Sequence, residues 1–288
     1  MKLRDLFLAA FAVLVLGVNF VAVKTAVGYI PPLFLTGVRF SLVAVVLVWF
    51  FPLPRGMWFP IFIFSLAQGL LHHGLMFTGM VGMDAAITAI VMQLCTPFAA
   101  GFAWIMLGER FGWRRSSGVA IALFGVSLIA GQPEIWQANL SLVLLVFSAM
   151  CWGYASVYVK RLGNINILQV TAWMAVFATP ELFIASAFLE TGQFDALMNA
   201  PSIVWFCLAY MSLGATVLGY GIWYYLLQHY DVAQIIPFAL LNPVIGVVSS
   251  IVLLGEVVTW EKAIGGVIVL VGVAIIQLRW HRVVAPAD

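Results

Sequence analysis

A small set of polar and aromatic side chains recurs at helical spacing inside otherwise apolar sequence. Gln68 and His72 stand at i and i+4, on one helix face. Thr216, Tyr220 and Tyr224 form an i, i+4, i+8 line, and Gln234, Phe238 and Asn242 form another. Asn19, the pair Gln93 and Thr96, and the trio Ser148, Trp152 and Tyr158 lie at middle depth of three further apolar runs. These groups are neutral amides, hydroxyls, an imidazole and aromatic faces. Together they suit an amphipathic zwitterion with an apolar or aromatic side chain, because aromatic faces attract both apolar surface and an ammonium group. The expected substrate-binding residues are Asn19, Gln68, His72, Gln93, Trp152, Tyr158, Tyr220, Tyr224, Phe238 and Asn242. Trp and Tyr also form belts at membrane interfaces, and Tyr224, Tyr225 and Tyr230 admit that reading too.

Other chemistries fit less well. Adjacent His72 and His73 point about 100° apart on an α-helix, and no carboxylate or Cys cluster joins them, so no metal site is expected. Cys95, Cys151 and Cys207 stand singly and read as small buried hydrophobes. No nucleophile–base arrangement and no Gly-rich phosphate loop is present; no catalytic residue and no cofactor is expected. Glu109 and Glu256 each open a helix after a loop, where a carboxylate is favoured electrostatically. No Asp or Glu lies at middle depth on the polar runs, which leaves His72 as the titrating candidate and predicts weak or absent proton coupling. Two further charges, Arg39 and Glu181, lie deep within their own apolar runs and are expected to pair in one conformational state.

The elements that position these residues are membrane spans. The chain has 288 residues, of which 64% are hydrophobic and 8% charged, against about 25% charged in soluble domains. Apolar runs fall at roughly 6–26, 32–51, 58–80, 84–106, 112–131, 139–159, 167–189, 201–227, 232–254 and 260–280, each near the length of about 20 residues that crosses a bilayer. The first run follows Lys2 and Arg4 as a signal peptide would, yet it continues through Asn19 to Ala26 without a good cleavage site and reads as an uncleaved helix. The net charge of +2 is spread over short loops and implies no nucleic-acid partner. With the N-terminus inside, Lys2, Arg4, Arg55, Arg110, Arg114, Arg115, Lys160, Arg161, Arg279 and Arg282 face the cytoplasm. Only Lys24 and Lys262 face out.

The chain also repeats itself. Leu107-Gly108-Glu109 recurs as Leu254-Gly255-Glu256, and the register then holds without a gap: Trp113 with Trp260, Gly118 with Gly265, Gly125-Val126 with Gly272-Val273. Upstream, Asp84-x-Ala86 matches Asp231-x-Ala233, and Gly17-x-x-x-Val21-x-Val23-Lys24 resembles Gly153-x-x-x-Val157-x-Val159-Lys160. An odd number of crossings separates the copies, so the halves, 1–135 and 136–288, have opposite topology; they meet near Gln132-Pro133-Glu134. Such inverted repeats mark secondary transporters. Pro97 and Asn242-Pro243 fall near the middle of runs 4 and 9. Each proline deprives a carbonyl four residues back, at Gln93 and Ala239, of its helical partner. Pro97 and Pro243 are therefore expected as hinges beside the substrate path.

Ten spans, inverted five-helix halves and a Pro ahead of Leu-Gly-Glu in each half together resemble the drug/metabolite transporter superfamily. Within it the chain is most similar to the EamA family of bacterial metabolite exporters, on the side of its aromatic amino acid exporters. The resemblance implies an all-α polytopic protein of ten transmembrane helices in a bacterial inner membrane, both termini cytoplasmic. It implies efflux of amino acids, aromatic and other apolar ones first, or of similar small metabolites, by alternating access. The sugar-phosphate branch carries Lys within its fourth and ninth spans; this chain has none there. A multidrug or nucleobase exporter, or a non-transporting intramembrane protein, remains the alternative. The expected partners are a small-molecule substrate and the lipid bilayer, and the oligomeric state is not legible.

Overall fold

The computed structural model of the chain describes residues 1–108, 112–132, 135, 138–163, 166–230 and 232–277. Glu109, Arg110, Pro133, Glu134, Asp231, Arg279 and Arg282 lie outside the described residues. Those described are helical, with no strand among them. The main helices are α1 (Leu3–Val27), α2 (Pro32–Leu47), α3 (Trp58–Val81), α4 (Ala85–Leu107), α5 (Trp113–Ala130), α6 (Asn139–Arg161) and α7 (Ile167–Leu189). They continue as α8 (Ser202–His229), α9 (Val232–Ala239, resumed as Leu241–Leu254) and α10 (Trp260–Gln277). Eight helical stretches are long and apolar enough to cross a membrane. Helix α2 is apolar but has 16 residues, and α5 opens on Arg114 and Arg115, which lower its hydropathy. The outer surface carries large apolar side chains nearly in full, such as Trp49 at 83% and Phe188 at 85% exposure. A surface of this kind is satisfied by lipid rather than water.

Small residues decide which helices touch. A methyl group added at Gly118 of α5 would lie 2.7 Å from the Gly272 carbonyl oxygen of α10, and one at Gly125 would lie 2.8 Å from that of Gly265. Rising numbers on one helix meet falling numbers on the other, so α5 and α10 cross antiparallel with their backbones in contact. The two glycines matched between the halves act alike. Gly17 sets α1 against Ile245 of α9 at 2.6 Å, and Gly153 sets α6 against the Ala99 nitrogen of α4 at 2.7 Å. Helix α1 thus lies on α9 and helix α6 on α4, the two helices that carry Pro243 and Pro97. Helices α2 and α7 pair through Gly37 and Phe183.

Two features of α3 and α8 depart from the α-helical period assumed above. Both contain a π-helical segment, Ser65–His73 and Tyr210–Gly219. In each, a side chain reaches the carbonyl five residues back: His73 Nδ1 bonds Gln68 O at 2.7 Å, and Thr216 Oγ1 donates to Met211 O at 2.9 Å. π-Helical turns are rare and concentrate at functional sites.

The interruptions in α4 and α9 fall just before the prolines. A 3₁₀ turn, Met92–Leu94, precedes Pro97, and a turn at Leu240 precedes Pro243. Each sits beside the carbonyl that its proline leaves without a helical partner. Pro237, which the pattern reading passed over, stands within the first part of α9.

The Leu-Gly-Glu motif has a structural explanation. Gly108 and Gly255 close α4 and α9 with φ of 67° and 69°, a left-handed cap that a Cβ would strain. The reading of Glu256 at the start of its own following helix is corrected. Helix α10 begins at Trp260, and the Glu256 carboxylate instead caps the distant helix α4, accepting from Ala85 N at 2.7 Å and Ala86 N at 2.9 Å. Nearby, Lys262 Nζ lies 3.5 Å from Asp84 Oδ2, and Lys24 Nζ donates to the Met80 carbonyl at 2.8 Å. Glu190 does the same service for α2, accepting from Leu33 N at 2.7 Å and Phe34 N at 3.0 Å.

Candidate functional site

A partly open cavity of about 240 Å³ lies between the helices, lined from α1, α2, α3, α4, α6, α8, α9 and α10. Of the residues expected to bind substrate, Asn19, His72, Gln93, Trp152, Tyr220 and Asn242 line it. They come from both halves of the chain.

His72 is fixed by the helix beside it. Its Nδ1 lies 3.0 Å from the Ser148 carbonyl and 2.9 Å from Ser148 Oγ, while that hydroxyl donates to the His72 carbonyl at 2.8 Å. The carbonyl contact assigns the proton to Nδ1. Nε2 of the neutral ring is then an acceptor; it is buried and has no protein partner. Trp152 packs edge-on to the same ring, centroids 4.5 Å apart and planes at 90°. Asn19 Oδ1 and Asn242 Oδ1 are likewise buried without a partner. Buried polar atoms are normally paired, so a cluster of unpaired ones around a cavity marks a place for a ligand or water.

Four expected residues lie elsewhere. Gln68 is not in the wall: the π-helical segment gives its carbonyl to His73 and turns His73, not Gln68, to the cavity. Tyr158 stacks on Tyr154 with centroids 5.7 Å apart, and Tyr154 meets Phe102. Tyr224 leans on Tyr220 from one turn away, centroids 6.2 Å apart. Phe238 packs with Leu226 and Ile235 in a separate apolar cluster.

The cavity also holds residues the pattern reading missed. His73 was set aside because neighbours on an α-helix diverge; in the π-helical segment both imidazoles reach the wall, centroids 4.5 Å apart. No group of three or more potential metal ligands exists among the described residues. Trp223 follows Tyr220 at i+3, a spacing that could have revealed it. Helix α10, from which no site residue was expected, contributes Gln277. Its Nε2 donates to Thr96 Oγ1 at 3.1 Å, and its Oε1 is buried without a partner.

Arg39, expected as half of an ion pair and not as a binding residue, lines the wall from α2. The ion pair with Glu181 is not formed in this structure. Arg39 Nη2 donates to Thr216 Oγ1 at 3.0 Å, while Glu181 Oε1 accepts from Ser65 Oγ at 2.6 Å. The two charges are held by different π-helical segments, Arg39 by that of α8 and Glu181 by that of α3. Tyr and Trp faces, neutral amides and one guanidinium surround the cavity, and no Asp or Glu lines it among the described residues.

A bundle of apolar helices around a cavity that carries unpaired polar atoms, with two helices interrupted just before a proline, has the form of a multi-pass membrane transporter. The EamA-like transporter family model matches residues 3–131 and 139–278, and the chain belongs to that family. It is 28% identical to a probable amino-acid metabolite efflux pump of Escherichia coli, over 99% of each chain. It is also 28% identical to a protein of the same description from Salmonella typhimurium, over 96% of this chain and 95% of that one. An uncharacterized transporter of Bacillus subtilis matches at 25% over 96% of this chain. A solved crystal structure covers 96% of both chains with a TM-score of 0.64 at 17% identity, which shows the shared fold.

Proposed function

We propose that the protein exports amino acids, apolar and aromatic ones foremost, or similar small metabolites from the cytoplasm by alternating access. The observation that carries this reading is the cavity. It is lined from both halves of the chain and walled by Trp152, Trp223 and Tyr220, with unpaired amide oxygens from Asn19 and Asn242. Aromatic faces suit an apolar side chain, and neutral oxygens suit an ammonium group. The names of the Escherichia coli and Salmonella relatives support the same substrate class.

In this reading the chain is ten transmembrane helices in two inverted halves, 1–135 and 136–288, in a bacterial inner membrane with both termini in the cytoplasm. The antiparallel α5–α10 crossing supports the inversion, because Gly118 and Gly125 meet the counterparts of each other, Gly272 and Gly265. The two stretches matched by the family model support the division. The halves rock about the cavity, and Pro97 and Pro243 supply the flexible points in α4 and α9.

The test is counterflow. Purified protein in liposomes preloaded with an unlabelled amino acid should take up the same labelled amino acid saturably. Trp152→Ala and Tyr220→Ala should reduce that flux while leaving expression and monodispersity near the parent's. Saturable flux of nucleobases or cationic drugs with none of amino acids would overturn the substrate reading; unchanged flux in both variants would overturn the site.

A further inference from the structure

Arg39 is a fully buried cation whose hydrogen-bonding capacity is mostly unused. A guanidinium has five N–H donors. The structure gives this one a single hydrogen bond, to Thr216, and Nε is buried with no partner. The rings of Phe40 and Phe77 flank Cζ, each centroid at 5.5 Å. Ring faces offset part of the desolvation of a cation, but they do not accept its in-plane N–H groups. Glu181 bonds Ser65 through Oε1 and leaves Oε2 unpaired, and it does not reach Arg39, which has no carboxylate partner among the described residues. A lone charge inside a membrane is costly and marks the path of a charged substrate.

The remaining unpaired atoms of the wall are complementary in kind. Asn19 Oδ1, Asn242 Oδ1, Gln277 Oε1 and His72 Nε2 are all acceptors, and all are neutral. The cavity therefore offers one fixed cation and several uncharged acceptors. A carboxylate can take the free donors of Arg39, where the bidentate geometry of guanidinium is strongest. An ammonium, with three donors and no acceptor, can use the oxygens. An amine without a carboxylate would bring a second positive charge into a site that has no anion to meet it.

We propose that Arg39 is the carboxylate receptor of the cavity, and that the protein selects α-amino acids with uncharged side chains over the corresponding amides and amines. The proposal rests on the reading of this cavity as the substrate site. It makes Arg39 a binding residue rather than half of a structural ion pair.

The test uses two readouts on the full-length protein. Binding is followed by fluorescence, since Trp152 and Trp223 line the cavity; transport is followed by counterflow in liposomes. The ligands are alanine, leucine and phenylalanine, the amide of each, and phenethylamine. Amides and amine should bind on the order of 100-fold more weakly than the acids, the scale of losing one partner of a buried charge pair. Arg39→Gln should remove the difference between acid and amide, and Arg39→Lys should keep part of it. If Arg39→Gln does not fold, the acid-to-amide ratio of the parent protein decides alone. Equal binding of acids and amides, or no binding of any of the three acids, overturns the proposal. Carboxylate-dependent binding without flux would uphold Arg39 while removing the transport reading. Saturable flux of acid and amide alike would do the reverse.

Discussion

Replacing Glu256 by Ala should loosen the contact between the segment after α9 and the start of α4. The carboxylate accepts two backbone hydrogen bonds, from Ala85 and Ala86, which are 0% and 1% exposed. Hydrogen bonds to a charged group contribute about 1.5–3 kcal/mol each, and a buried N–H left alone costs about 1–3 kcal/mol. Glu256 itself is half-buried, so water recovers part of the loss, and the net effect should be about 2–4 kcal/mol. Glu256→Gln should fall between, because an amide has a single acceptor oxygen for two N–H groups. The assay is the midpoint of thermal unfolding of detergent-purified protein, read beside a cysteine placed at Val81 and labelled with a membrane-impermeant reagent. The expected result is a midpoint several degrees lower for Glu256→Ala, a smaller fall for Glu256→Gln, and faster labelling in both. A midpoint and labelling rate equal to the parent's in Glu256→Ala would refute the argument that this carboxylate ties the segment after α9 to α4.

Further outcomes follow from other contacts. Gly118→Leu or Gly272→Leu should abolish accumulation of monodisperse protein in size-exclusion chromatography, because each added side chain meets backbone on the facing helix. Normal yields would contradict the close α5–α10 crossing. Pro97→Ala and Pro243→Ala should slow exchange between states open to opposite sides, measured as labelling of a cavity cysteine from each side; labelling rates matching the parent would dismiss the hinge role. An imposed proton gradient alone should not drive accumulation, since no carboxylate among the described residues lines the cavity and His72 Nδ1 is committed to Ser148. Proton-driven accumulation against a substrate gradient would contradict this.

Composition and apolar run length were enough to read an all-helical membrane protein, because hydrocarbon leaves the backbone few other ways to satisfy itself. The self-match also carried information beyond topology. Gly17 and Gly153, paired by spacing alone, proved to be the points where α1 and α6 rest on α9 and α4. The positions of the breaks in α4 and α9 were legible too, since a missing N–H acts locally and at a fixed distance along the chain. That Asn19, His72, Gln93, Trp152, Tyr220 and Asn242 would line one cavity was legible from their depth and polarity.

What only the tertiary structure decided depends on period and partner. An assumed 3.6-residue turn placed Gln68 in the cavity and His73 out of it; the π-helical segment of α3 reverses them, and no side-chain pattern announces such a segment. Glu256 looked like the opening of its own helix, but its carboxylate serves a helix about 170 residues away in the chain. Arg39 and Glu181 both stood out as buried charges, and the sequence invited pairing them. Which of them faces a cavity, and which is held by a neighbouring serine, depends on how α2, α3, α7 and α8 pack around one another, a long-range arrangement that spacing within a single helix does not encode.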